Sequence, residues 1–350
     1  MSALVSKADC QSPTCASAVL VCLSEIERKL FFPNESPVRL PGELVHFNPS
    51  ECSAEAWANM LKSVQPTVVV SSWHTPALPL DYVQDPELKL KYVCHLTGSV
   101  RHVVPRELLE RGVLVTNWGR IAAISVAEHA LLLILSLLRH APRWRGCFMS
   151  PFEKQTEYRL TMPTRSLVEQ HVGIHGFGAV AQNLVKLLQP FGATISAYSE
   201  GVPTSFMLEY GVTPCKSLND LFANCGILVE CEGLTPKSKD SVSAEILELL
   251  PENALFVNVG RGGVVDEDAL IRLAKTGKIR IALDVFREEP LPHHSPLLAI
   301  PDAVLSPHLG GPTYDRLPKC AAFAERNLQR FFNGEPLEAV ISLQQYDRAT

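Results

Sequence analysis

The chain contains no Cys-x-x-Cys pair, no two His/Cys pairs at zinc-finger spacing, no cluster of lysine and arginine, and no apolar run of bilayer length. Each absence removes a class of protein. Without those spacings a structural zinc site is not supported, so no metal is expected. The ten cysteines lie scattered through a long chain, which fits reduced thiols in a cytoplasmic protein better than a disulfide framework. A net charge of -5 with no basic patch argues against a nucleic-acid partner. Residues 1–13 are polar and small, without a basic start leading into an apolar run, so no export signal is read. The longest apolar stretch, 130–138, is too short for a membrane span. It is bracketed by Glu128-His129 and Arg139-His140 and reads as a buried or interface helix. The single histidine doublet, His293-His294, sits in a proline-rich loop and reads as solvated. Short repeats and low-complexity runs are also missing.

What is present begins at residues 171–182, HVGIHGFGAVAQ. Apolar Val172 and Ile174 lead into Gly176-Phe177-Gly178, and a helical pattern follows at once. In a parallel α/β unit the first glycine permits a tight turn and the second lets backbone amides approach a pyrophosphate. The small third residue, here Ala181, lets strand and helix pack closely. A glycine turn that binds nothing satisfies the same pattern. Only the strand ends downstream can separate the two readings.

At 350 residues, 46% hydrophobic and 20% charged, the chain is long enough for two globular domains. Strand patterns at 18–24, 43–47, 67–71, 91–96 and 113–116 alternate with helical ones such as 54–64, implying a parallel sheet with crossovers. A long apolar helix at 124–139 and a loop at 141–164 follow. A second series has strands at 172–174, 194–198, 226–231, 254–259, 279–285 and 303–305, enough for a six-stranded dinucleotide fold. A last helix at 317–333 stops on Gly334. The organisation expected is a first domain, 1–117 plus 312–350, interrupted by a second at 118–311, with a ligand cleft between the lobes.

Three strand ends hold residues able to act on a carbonyl acid. Arg261 lies between glycines in VNVGRGG, where a guanidinium grips a carboxylate in two places; a surface arginine of a β-α loop is the plainer alternative. The segment ALDVFREEP places Asp284 at a strand end, with Glu288 and Glu289 beyond it or simply in a solvated acidic turn. His308 stands in SPHLGG, and a lone histidine is more often structural than catalytic. Together they say more than singly. Hydride transfer to a 2-oxo acid needs a cation for the carboxylate, a proton donor for the carbonyl, and a carboxylate that keeps the donor imidazole protonated.

With GFGAVA, these segments resemble the D-isomer-specific 2-hydroxyacid dehydrogenases, from about Lys89 through the last helix. The resemblance is to glyoxylate/hydroxypyruvate reductases and phosphoglycerate dehydrogenase-like members. Because the chain ends soon after that helix, the regulatory C-terminal domain of feedback-controlled phosphoglycerate enzymes is expected to be absent. The fold implied is a Rossmann-type doubly wound parallel sheet inserted in a second, flavodoxin-like α/β domain. The activity implied is NAD(P)-dependent interconversion of a D-2-hydroxy acid and its 2-oxo acid. By resemblance His308 is the acid/base, Glu289 its partner and Arg261 the substrate-orienting cation. The cofactor residues implied are Gly176, Phe177, Gly178, Ala179, Val180, Ser199, Glu200, Val259, Gly260, Arg261, Asp284, His308 and Gly311, with Asp284 holding the nicotinamide carboxamide. Gly98 and Ser99, with Arg261 and His308, are implied for substrate. Helix 124–139 resembles the family's dimerisation helix, implying a homodimer, and hinges are expected near Asn117 and Pro312.

The pattern is broken in places. Ser199 stands where NAD-type members carry an aspartate for the adenosine ribose. Glu200 follows it and no cation lies in 199–205, so NAD is favoured with NADP left open. Cys231 and Gly233 replace a common His and Pro. Arg101 replaces a common Asp, and Arg120 is unusual at the crossing; either suits a second anionic group on the substrate or a structural ion pair. These departures leave room for an alternative, an NAD(H)-sensing dimeric binding protein of corepressor type with little turnover.

Overall fold

A computed structural model describes residues 18–33 and 43–348. The polar opening segment and Cys10 and Cys15 lie outside the described residues. The chain divides into two compact units. One runs to Gly119 and resumes over Leu317–Tyr346, and Arg120–Arg316 forms the body of the other.

In the first unit five parallel strands, β1 (Ala18–Cys22), β2 (Glu43–Phe47), β3 (Val68–Ser71), β4 (Tyr92–His95) and β5 (Leu114–Thr116), form a sheet ordered β2-β1-β3-β4-β5. That is the flavodoxin-like order. β3 and β4 are buried along their whole length, as strands covered on both faces must be, hence the unbroken Val68-Val69-Val70 run. Each such valine stabilises the fold by about 1.5–3 kcal/mol. The helix Ala54–Val64 starts where the Ser53 side chain accepts a bond from the Ala56 amide. It buries Trp57, whose indole donates to the Ala77 carbonyl at 3.0 Å. The sheet is completed from far along the chain. Leu317–Asn333 packs on the helix Glu25–Phe31 and on β4, with Phe331 5.1 Å from the Tyr92 ring.

The second unit adds β6 (His171–His175), β7 (Thr194–Tyr198), β8 (Thr213–Pro214), β9 (Ile227–Glu230), β10 (Ala254–Asn258), β11 (Ile279–Leu283) and β12 (Val304–Leu305). Their order is β12-β11-β10-β9-β6-β7-β8, and every pairing is parallel. This is the doubly wound dinucleotide arrangement, whose direction of progression reverses between β6 and β9. The sheet has seven strands where the sequence pattern gives six. The extra strand is β8, only two residues long. It pairs with β7 alone, so Pro214, which lacks an amide hydrogen, is tolerated at that edge.

Two further departures concern the helices. The expected loop at 141–164 contains Ala141–Phe148 and Phe152–Thr161, neither with a buried side chain. With no face turned to a core, they leave no apolar period to read. The helix Ala123–Leu138 packs against Ala179–Leu188 and against β10 and β11. Its Leu133, Ile134, Leu137 and Leu138 are buried in this unit's own core, which accounts for much of its apolar length without a partner chain. Among the described residues no single helix is long and apolar enough to cross a membrane. Ala123–Leu138 and Ala141–Phe148 reach that length only as a pair bent by 50°.

Candidate active site

The glycine turn closes β6. Gly176 has φ +85°, and a Cβ there would lie 2.7 Å from the backbone of Glu232, so a larger residue is excluded twice over. Phe177 turns inward, its ring edge-on to Phe206 and Tyr210 at 6.1 and 5.7 Å. Gly178 caps the helix Ala179–Leu188 without a side-chain hydrogen bond, and a Cβ on it would meet nothing within 4 Å. The helix whose first turn holds Ala179 and Val180 thus starts at an exposed, uncovered glycine, with no side chain capping its N-terminus. That is a fitting cradle for a diphosphate.

Two strands along the sheet from β6, the end of β10 is held by Asn258, which accepts from the Gly260 amide at 3.0 Å and donates to the Arg261 carbonyl at 3.3 Å. Val259 and Gly260 lead into Arg261, whose half-buried guanidinium donates to the Gly260 carbonyl at 2.8 Å. A Cβ on the next residue, Gly262, would fall 1.9 Å from the Phe286 carbonyl carbon. Glycine there lets the arginine loop lie directly on the segment leading to Glu289. The Glu289 carboxylate accepts from the Phe286 amide at 2.9 Å and meets His308 Nδ1 at 2.7 Å.

This pairing sets the charges. Its hydrogen bond to Glu289 holds the His308 imidazole above its ordinary value, against the opposing effect of burial. Burial would raise Glu289, but the His308 bond, the Phe286 amide and the Arg261 charge outweigh it and keep the carboxyl below its usual range. Burial lowers Arg261, partly offset by Glu289. The result is an imidazole inclined to carry a proton beside a cation.

His308 sits in the left-handed region at φ 54°, uncommon for a residue with a side chain. Asp284 holds it there. The Asp284 carbonyl accepts from the His308 amide at 3.0 Å. The buried Asp284 carboxylate accepts from Ser306 Oγ at 2.6 Å and from the Leu309 and Gly310 amides at 2.8 Å each. His129, on the helix Ala123–Leu138, approaches the same carboxylate at 3.3 Å and Ser306 Oγ at 2.8 Å. Burial opposes ionisation, but these donors win and Asp284 lies below its usual range. Gly311 follows this turn. Sequence reasoning missed His129 and Ser306; the one signal for His129 was a polar residue inside an apolar helix.

Ser199 and Glu200 lie just past β7. Ser199 donates to the Glu232 carboxylate at 3.2 Å, and Glu200 pairs with Lys237 at 3.3 Å on the exposed surface. In the first unit, Gly98 and Ser99 follow β4. The Gly98 carbonyl accepts from Asn117 at 2.7 Å, the Trp118 ring covers Gly98, and Trp73 stands edge-on to Trp118 at 6.4 Å. At the end of β4, buried His95 lies between Ser71 Oγ at 2.8 Å and Thr97 Oγ1 at 2.5 Å. Arg101 donates to the Tyr346 carbonyl and lies over its ring. Arg120 donates to the neutral amide of Gln182.

Residues 131–310 match the NAD binding domain of the D-isomer specific 2-hydroxyacid dehydrogenases. A D-3-phosphoglycerate dehydrogenase of Methanocaldococcus jannaschii is 30% identical over 73% of this chain and 48% of its own length. The chain therefore spans about half of that relative. A glyoxylate/hydroxypyruvate reductase of Arabidopsis thaliana is 31% identical over 72% of this chain and 76% of its own. A solved glyoxylate reductase from Paecilomyes thermophila superposes with a TM-score of 0.77 at 21% identity, covering 94% of this chain and 100% of that one. Relatives bearing such names do not favour the corepressor alternative. The chain belongs to the D-isomer specific 2-hydroxyacid dehydrogenases, NAD(P)-dependent oxidoreductases that act on CH-OH donors.

Proposed function

We propose that this chain interconverts a small D-2-hydroxy acid and its 2-oxo acid, with His308 as acid/base, Glu289 as its partner and Arg261 orienting the substrate. The observation that carries the reading is the 2.7 Å contact between His308 Nδ1 and Glu289, beside Arg261. The glycine turn, tight at Gly176 and open at Gly178, suits the diphosphate of NAD(P), which supplies the hydride when bound. Arg261 grips the substrate carboxylate and draws electron density from the adjoining carbonyl. His308 gives its proton to the carbonyl oxygen in reduction and takes it back in oxidation. Asp284 keeps the His308 turn in place, and one Asp284 oxygen has capacity for a further donor such as a carboxamide.

On this reading the second unit is the NAD(P)-binding domain. The first is the substrate domain, with the amides of Gly98 and Ser99 receiving the carboxylate. Glyoxylate and hydroxypyruvate, named for the relatives, are the first substrates to try. NADH oxidation with these, pyruvate and longer 2-oxo acids, comparing wild type with His308→Ala, tests the assignment. Equal rates in the two proteins overturn it.

The same reading takes the protein as a homodimer in the cytoplasm. Support comes from the exposed Leu132, Trp144, Phe148, Met149 and Phe152 on and beyond the helix Ala123–Leu138, an apolar patch of the kind that marks an interface. The eight described cysteines are all free thiols, as a reducing compartment allows. Light scattering on the purified chain tests the dimer, and a monomer at micromolar concentration rules it out.

A further inference from the structure

A dinucleotide fold of this order commonly places a carboxylate for the adenosine ribose just after its second strand. Here that strand is β7 and the residue is Ser199. The structure brings a carboxylate to the same spot from elsewhere. Glu232 follows β9, which flanks β6 on the side opposite β7. Its carboxylate reaches across the end of β6 to accept the Ser199 hydroxyl at 3.2 Å. It thus spans the point where the strand order reverses, the crevice in which such sheets bind their ligands.

The placement is built, not incidental to a loose side chain. The Glu232 amide donates to Glu230 at 2.8 Å, and the other Glu230 oxygen meets His175 Nδ1 at 2.6 Å. Both of these side chains are buried. Burial would lower His175, but Glu230 and Glu232 outweigh it and hold the imidazole above its ordinary value. The Cys231 amide donates to the His175 carbonyl at 2.8 Å. The His175 ring stacks on Tyr198, the residue before Ser199. Contacts therefore run unbroken from Glu232 through Glu230, His175 and Tyr198 back to Ser199. The Glu232 backbone also presses on Gly176, where a Cβ would lie 2.7 Å from it, so its side chain departs beside the diphosphate cradle.

We propose that Glu232 is the residue that takes the adenosine ribose hydroxyls and excludes a 2′-phosphate, replacing the acid missing after β7. The inference rests on the NAD(P) reading above. An ionised carboxylate accepts from two hydroxyls at once, whereas a phosphate set against it meets like charge in a partly desolvated site. Glu200 is the weaker candidate, because its charge is matched by Lys237 in a solvent-exposed pair.

The test is fluorescence titration of the full chain with NADH and with NADPH, no substrate present. Wild type binds NADH the more tightly. Glu232→Gln loses about tenfold in NADH affinity, the cost of a charged hydrogen-bond acceptor, and the preference for NADH narrows with it. Glu232→Arg turns the preference toward NADPH. Ser199→Ala, which releases the carboxylate, gives a smaller loss and serves if the Gln variant does not fold. The inference falls if Glu232→Gln keeps both affinity and preference, if wild type prefers NADPH, or if Glu200→Gln alone removes the preference. Wild type that binds neither nucleotide instead overturns the NAD(P) reading, and the inference with it.

Discussion

Each unit carries a histidine at the carboxyl edge of its parallel sheet, and the two are driven in opposite directions. His95 ends β4 with 1% of its surface exposed, and its ring nitrogens are met by the hydroxyls of Ser71 and Thr97. Burial pushes it down to about 3, with His102 adding to the effect. His308 follows β12, is half-exposed, and faces the Glu289 carboxylate, which raises it. Position at a strand end therefore does not make an imidazole an acid. The partner does: hydroxyls satisfy a neutral ring, and a carboxylate stabilises a charged one.

The comparison breaks most visibly at His308 itself. His308→Ala is expected to lower kcat by about 10²–10⁴-fold, whereas a result within a factor of a few in steady-state assays makes His308 no different from His95. Glu289→Gln is next, with a loss of at least about tenfold and a displaced pH profile. With His308 as the proposed acid/base, wild-type reduction is expected to need the protonated ring and to decline as pH rises through its raised pKa; oxidation is expected to need the neutral ring and to climb through the same point. Without the carboxylate that point returns toward the ordinary 6.5, so both limbs move to lower pH. An unmoved profile means Glu289 does not set the proton affinity.

Ser71→Ala sharpens the other side. Leaving His95 Nδ1 without its hydroxyl costs about 1–3 kcal/mol, read by urea denaturation, while the pH profile of the reaction stays where it was. The smallest effect is on stability against pH. A raised His308 stabilises the fold fully below about 6.5, and this is lost as pH rises through its folded value. A lowered Glu289 stabilises above about 4.5, and this is lost as pH falls through its folded value. The pair is one interaction, so the wild-type advantage over Glu289→Gln peaks between those limits. It amounts to at most about 1 kcal/mol after solvent screening, and thermal melts across pH that show no such maximum refute it.

Much of this was legible because it is local. The buried runs in β3 and β10 announce strands by composition, and Gly176, Arg261 and His308 stand beside glycines that only tight turns require. What escaped was either too short or too distant. β8 has two residues, and the helices Ala141–Phe148 and Phe152–Thr161 bury nothing. The Ser199 bond to Glu232 spans 33 positions and the His129 bond to Ser306 spans 177. Such pairs become neighbours only when the sheet assembles, and no period or spacing encodes them.

The first unit has a consequence for how the protein is made. Its β5 gains the Ile341 amide, Val104 accepts from the buried Tyr346 hydroxyl, and Phe331 rests on Tyr92. None of these partners exists on a growing chain until the whole of Arg120–Arg316 has been synthesised. The body of the second unit is one continuous run and can close as it emerges, but the first must wait with part of its apolar surface uncovered, the condition in which nascent chains aggregate or recruit chaperones. On the ribosome, the unit begun first is finished last.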